Sequence, residues 1–176
     1  MKRFVIPAVT LFTDTGEIDW SGNRSYAAIL NALEIPVLLF GTTGEGSYLT
    51  PEEKSGLVEI YGATSLELTL VLDPYFESGI AARYRERVRT MHRPWRGSAE
   101  EFFRFHRDSD RSWGIYSHPV QTAVPLGVES LASLVDDESL PWGAKVSKVD
   151  AQIVSQMRDI VGADFQLWHG TDRDIV

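Results

Sequence analysis

Lys145 stands inside an apolar run, Trp142-Gly143-Ala144-Lys145-Val146, where a charged side chain is costly to bury. A low-dielectric surrounding disfavours an ammonium ion, and a neutral amine is the form that adds to a carbonyl carbon and gives a Schiff base. A strand-end lysine pointing into solvent is the plain alternative. Tyr116 closes a second apolar run, in Gly114-Ile115-Tyr116-Ser117-His118-Pro119. A phenol at a strand end can relay protons when a hydroxyl polarises it, although a half-buried tyrosine bonded to backbone has the same signature. Thr42 and Thr43 offer such hydroxyls, and they lie in a glycine-bracketed segment, Gly41-Thr42-Thr43-Gly44-Glu45-Gly46. That segment could also hold a substrate carboxylate through its backbone N–H groups. Its bland reading is a plain βα turn, and it is not a P-loop, because no Lys-Ser/Thr pair follows the glycines.

The elements that must position these groups follow from periodicity. The glycine-bracketed segment comes directly after the apolar stretch Ile35 to Phe40 and directly before Thr50-Pro51-Glu52-Glu53. Thr50 can cap a helix there, Pro51 suits its first position, and Glu53 completes a capping box, so the segment is a strand-to-helix loop. Strands are predicted at Phe4 to Val9, Val37 to Phe40, Leu68 to Leu72, Trp113 to Tyr116, Trp142 to Val146 and Phe165 to Trp168. Helices are predicted at Trp20 to Leu33, Pro51 to Tyr61, Ile80 to Met91, Ala99 to His106, Val128 to Val135 and Asp150 to Ile160, with Ser98 and Glu101 as a second capping box.

This alternation predicts a parallel sheet with covering helices. Its pitch fits a closed (β/α)8 barrel, which spends about 31 residues per unit; a doubly wound sheet uses similar units. Two places break the rhythm. His92-Arg93-Pro94-Trp95-Arg96-Gly97 shows no strand pattern, so one internal strand is expected to be missing. The chain ends at Val176 after the last predicted strand, giving about six strands and no C-terminal units. Open edges of that kind must be covered or paired, and a homo-oligomer is expected.

With 176 residues and 43% hydrophobic content, the chain supports one globular domain spanning 1–176. A formal charge of -8 argues against broad binding to nucleic acid or anionic membrane. Arg83, Arg85, Arg87, Arg89, Arg93 and Arg96 form a local basic run, interrupted by Glu86, that reads as a solvated face or a subunit contact. There is no cysteine, hence no disulfide and no thiolate chemistry. His92, His106, His118 and His169 form no HExxH motif, so a metal would need ligands distant in sequence; Asp108 and Asp110 read as a solvated turn. No run approaches a membrane span and the apolar part of the start is too short for a signal peptide, so the cytoplasm is the expected location.

Taken together, the motifs resemble the dihydrodipicolinate synthase and N-acetylneuraminate lyase family of class I aldolases, which are (β/α)8 barrels. Ile6-Pro7-Ala8-Val9-Thr10-Leu11-Phe12 with Gly16-Glu17-Ile18-Asp19-Trp20 is similar to the family's opening strand and first helix entry. Gly41-Thr42-Thr43-Gly44-Glu45 is similar to its substrate-carboxylate loop, Tyr116-Ser117-His118-Pro119 to its Tyr-Asn-x-Pro turn, and Gly143-Ala144-Lys145 to its Schiff-base lysine segment. Gly170, in Trp168-His169-Gly170-Thr171-Asp172, is similar to its Ser-Gly-Asp loop. The resemblance covers about 1 to 62 and 93 to 174.

The resemblance implies an incomplete (β/α)8 barrel and a lyase in which Lys145 condenses with pyruvate or another 2-keto acid. Thr42 and Tyr116 would move the proton, and Thr43, Gly41 and Gly44 would bind the carboxylate. No metal or organic cofactor is implied. The family's synthases carry an arginine just after the tyrosine turn; here Gln121 precedes Thr122, and Ala123 replaces the usual glycine. That difference points away from aspartate semialdehyde and toward a 2-keto-3-deoxy sugar acid, met by Gln121, Ser117, Thr122 and Gly170. The aromatic residue that relatives supply across a subunit contact has no clear match, Tyr75 and Trp95 being the candidates. Two other readings remain open: a noncatalytic barrel fragment acting as a structural or interaction module, and a metal-dependent α/β enzyme.

Overall fold

The computed structural model describes residues 4–73, 76–93, 98, 101, 104, 113–122, 125–136, 138 and 140–170. They divide between two compact units, Met1–Thr90 and Met91–Val176.

The first unit runs β1 (Ile6–Pro7), α1 (Trp20–Ala32), β2 (Val37–Leu39), α2 (Pro51–Gly62), β3 (Leu68–Leu72), α3 (Ser78–Tyr84) and the start of β4 (Val88–His92). Its strands are parallel and ordered as in the chain, with Ile6 opposite Val37 and Val37 opposite Leu68. Every residue of β2 and β3 is buried, as expected of parallel strands covered on both faces. Val37, Leu39, Leu57, Leu70, Leu72 and Tyr61 lie at the centre of this core. Burial of one such leucine stabilises the fold by roughly 1.5–3 kcal/mol. The first β-to-α loop is held by Asn23, whose amide donates to the Leu11 carbonyl at 2.8 Å and accepts from the Leu11 N–H at 3.2 Å.

The strand expected to be missing is present. One helix was predicted over Ile80 to Met91, but α3 ends at Tyr84, the chain turns, and Val88–His92 forms β4. The described residues therefore contain seven strands rather than about six. The physical reason is that β4 does not alternate: Thr90 and Met91 are neighbours and both buried while Arg89 is exposed, so Val88-Arg89-Thr90-Met91-His92 shows no period of two. Three arginines of the basic run serve the first unit, since Arg83 pairs with Glu59 (3.3 Å), Arg89 with Glu67 (3.6 Å), and Arg87 donates to the Gly62 carbonyl (2.6 Å).

The second unit continues with β5 (Trp113–Ser117), α4 (Val128–Asp136), β6 (Gly143–Val146), α5 (Ala151–Val161) and β7 (Gln166–His169). Its strands are again parallel, with Tyr116 opposite Lys145 and Lys145 opposite Trp168. Ile115, Leu131, Ala144, Val146 and Met157 form its core. The Asp150 carboxylate caps α5 by accepting from the Gln152 N–H at 2.8 Å. Most of the helix expected over Ala99 to His106 lies outside the described residues, as do Asp108 and Asp110. Ser98 and Glu101 nevertheless exchange the two hydrogen bonds of a capping box, at 2.8 and 3.2 Å. No helix of the described residues is long and apolar enough to cross a membrane.

Candidate active site

In the second unit the register of β5 and β6 sets Tyr116 beside Lys145 at the carboxyl ends of their strands. Tyr116 is 1% exposed and Lys145 8%. The Lys145 Nζ lies 4.6 Å from the centre of the Tyr116 ring, a cation–π distance, and donates a 3.2 Å hydrogen bond to Ser147 Oγ. Gly170, just past β7, completes the enclosure. A Cβ at that position would stand 2.6 Å from Ser147 Oγ, 2.9 Å from Lys145 Nζ and 3.0 Å from Lys145 Cε.

A second buried lysine supplies the contrast. Lys54, on α2 of the first unit, is 2% exposed and its ammonium pairs with the Glu77 carboxylate. Glu77 in turn accepts from the Asp73 N–H at 2.8 Å, pinning the loop after β3. Lys54 is buried in the ordinary way, with a counter-ion. Lys145 has a hydroxyl and an aromatic face, and among the described residues of its unit no carboxylate pairs with it. A buried amine of that kind is a functional candidate, since its burial is not repaid by an ion pair.

The turn after Tyr116 is tightly built. Thr122 Oγ1 donates to the His118 carbonyl at 2.7 Å and accepts from the His118 N–H at 3.1 Å, so both capacities of this sequence-predicted residue close the turn. His118 Nδ1 accepts from the Val120 N–H at 3.2 Å. Burial lowers the His118 pKa below the usual histidine range, and the positive charges of Lys145 and Lys148 lower it further. Ser117 Oγ accepts from the Leu126 N–H at 2.9 Å, and the Gln121 N–H donates to the His118 carbonyl at 3.2 Å.

The Gly41-to-Gly46 segment belongs to the first unit and joins β2 to α2, as predicted. The capping box is complete: Glu53 N–H donates to Thr50 Oγ1 (3.2 Å) and Thr50 N–H to the Glu53 carboxylate (2.8 Å). Two of its glycines are required by close approach. A Cβ on Gly44 would lie 2.7 Å from the Ala8 carbonyl oxygen, and one on Gly46 2.1 Å from that of Phe40. Phe40 and Glu45 take left-handed backbone angles, φ 65° and 52°, at the two sides of the turn. Thr10 Oγ1 ties the segment to the loop after β1 by donating to the Gly44 carbonyl at 2.7 Å. Gly41 is buried, Thr42 half-buried and Thr43 exposed.

The structure thus gathers Lys145, Tyr116 and Gly170, and builds Gly41, Thr42, Thr43 and Gly44 into one loop of the other unit. Ser147 was missed, although its place two residues after Lys145 puts it on the same face of an extended strand. Tyr75, Trp95 and Ala123 lie outside the described residues. Among the described residues no group of three or more His, Asp or Glu side chains is placed to hold a metal.

Parallel strands taken in chain order, β1 to β7, define the (β/α)-barrel class. Solved structures narrow it further. Dihydrodipicolinate synthase from Aquifex aeolicus superposes with a TM-score of 0.78 at 18% identity, over 97% of this chain and 63% of that one. 2-Keto-3-deoxygluconate aldolase from Picrophilus torridus gives 0.80 at 18% identity, over 94% and 65%. A prophage protein of the dihydrodipicolinic acid synthase family from E. coli K12, solved in complex with pyruvate, gives 0.78 at 18%, over 94% and 62%. No family model matches the chain and no curated protein does. The chain therefore has the fold of these proteins, a (β/α)8-type barrel that is incomplete here, spanning about three fifths of their length.

Proposed function

We propose that the chain is a member of the dihydrodipicolinate synthase and N-acetylneuraminate lyase family and acts as a Schiff-base lyase on pyruvate or a 2-keto-3-deoxy sugar acid. The observation that carries this reading is the buried Lys145 amine, set against the Tyr116 ring with a serine where Lys54 has a carboxylate. The fold shared with 2-keto-3-deoxygluconate aldolase and with a pyruvate-bound neighbour supports it.

In the reaction, the Lys145 nitrogen adds to the keto carbon, the carbinolamine loses one water, and an iminium remains. The iminium accepts the electron pair released when the adjacent carbon–carbon bond breaks, which is how an amine lowers the barrier to a carbanion beside a carbonyl. Tyr116 takes the proton from the hydroxyl on the carbon that leaves as an aldehyde and returns it to the carbon of the resulting enamine, and water then hydrolyses the iminium to release pyruvate and the free Lys145 amine. The backbone of Gly41 and Gly44 and the hydroxyl of Thr43 hold the carboxylate, while Gln121, with Thr122 and Gly170 shaping the wall, meets the hydroxyl-bearing part of the substrate. No step calls for a metal or organic cofactor.

Borohydride reduction in the presence of pyruvate tests the reading. Intact wild-type protein is expected to gain one reduced pyruvyl group and Lys145→Ala none; equal labelling of the two, or none of the wild type, overturns it. A second reading, a noncatalytic barrel module, predicts no adduct at any pyruvate concentration.

A further inference from the structure

Ser147 and Gly170 have no assigned part in the chemistry above beyond a wall, yet both converge on the reacting nitrogen. We infer that together they form the seat that orients the Lys145 amine, Ser147 by accepting its hydrogen bond and Gly170 by leaving the space that the amine and the hydroxyl occupy. This inference rests on the Schiff-base reading of Lys145.

Ser147 directly follows β6 and its N–H still donates to the Ser117 carbonyl at 3.1 Å, so Lys145 and Ser147, two residues apart in extended backbone, emerge on one face. A lysine side chain has four rotatable bonds, and its amine must be held in one place to attack productively. The 3.2 Å bond to Ser147 Oγ fixes the end of that side chain from one direction, and the Tyr116 ring 4.6 Å away bounds it from another. The third side is the bare Cα of Gly170. The atoms that an added Cβ would meet there, at 2.6, 2.9 and 3.0 Å, are the free ends of Ser147 and Lys145, which can swing aside without disturbing backbone. The glycine is thus compelled by the amine and not by the fold: its substitution moves the nitrogen and leaves the strands in place. The same geometry explains why Ser147 is buried with its hydroxyl turned toward Lys145 rather than toward the solvent reached by Lys148.

The test compares limiting rates of reductive trapping by pyruvate, and the half-saturating pyruvate concentration, in the full chain and in Ser147→Ala and Gly170→Ala. Loss of one hydrogen bond to the amine is expected to lower the limiting rate about tenfold in Ser147→Ala. Displacement of the nitrogen by a methyl group is expected to lower it about a hundredfold in Gly170→Ala. Half-saturation by pyruvate should stay as in the wild type, because pyruvate lacks the hydroxyl-bearing part that the Gly170 wall would meet, and melting temperatures should stay close to it, because the atoms displaced belong to side chains and the backbone bonds of both residues are kept. The double variant should lose less than the product of the two, since removing the hydroxyl relieves the shortest of the Gly170 contacts. Wild-type rates in both single variants, or a rate loss accompanied by a raised half-saturating concentration, overturn the seat. Absence of trapping in the wild type instead overturns the Schiff-base reading itself, so the two failures are distinct.

Discussion

Two histidines report on their surroundings without taking part in the proposed chemistry. His118 has its pKa lowered first by burial and then by Lys145 and Lys148. Replacing Lys145 with Met is therefore expected to raise the His118 titration midpoint, read from its ring proton resonances; an unmoved midpoint would separate the two residues. His92 stacks on Trp113 with ring centres 6.3 Å apart and planes within 8°, and burial pushes its pKa down to about 4. The unfolded chain protonates that imidazole near pH 6.5 while the folded protein resists until about pH 4, so stability present above pH 6.5 is lost as the pH falls through this window. The loss is on the order of 3 kcal/mol. Urea unfolding of His92→Phe should show a flatter profile between pH 6.5 and 5 than the wild type; parallel profiles would contradict the assignment.

Among the elements, α2 carries the clearest local instructions. Thr50, Pro51 and Glu53 announce its start in the sequence and make the predicted bonds in the structure. The same helix hides a residue that no local pattern reveals: Lys54 reads as a surface lysine until α3 brings Glu77 to it. Glu77→Gln should destabilise the protein by about 3–5 kcal/mol, whereas replacing both partners with apolar residues of similar volume should be far milder. Equal losses in chemical denaturation would show that the pair does not act as a unit. β4 was illegible for a related reason: its two buried residues, Thr90 and Met91, are neighbours, so no strand alternation shows, and the contacts of Arg83, Arg87 and Arg89 with Glu59, Gly62 and Glu67 are tertiary. The site divides in the same way. As candidates, Lys145, Tyr116 and Gly170 stand out in the sequence because each lies close to the carboxyl end of a strand, while Ser147 requires the knowledge of where the Lys145 side chain goes. The glycines of the Gly41-to-Gly46 loop were readable as a motif, but their cause, contact with the Ala8 and Phe40 carbonyls, is tertiary.

At the scale of the whole molecule, the strand at each end of the order, β1 and β7, has a neighbour on one side only among the described residues. We propose self-association, as expected from the sequence: sedimentation velocity is expected to give a mass above the 19.7 kDa of one chain, and a strictly monomeric species at all concentrations would contradict it. The shared fold with longer aldolases and synthases frames the central question, which is whether a barrel spanning 63% of such a neighbour still performs imine chemistry. The most direct answer comes from peptide mapping of the protein after reduction with pyruvate present. A single modified peptide is expected, with the pyruvyl group on Lys145; labelling spread over surface lysines, or a modified Lys54 with Lys145 untouched, would overturn the Schiff-base role of Lys145.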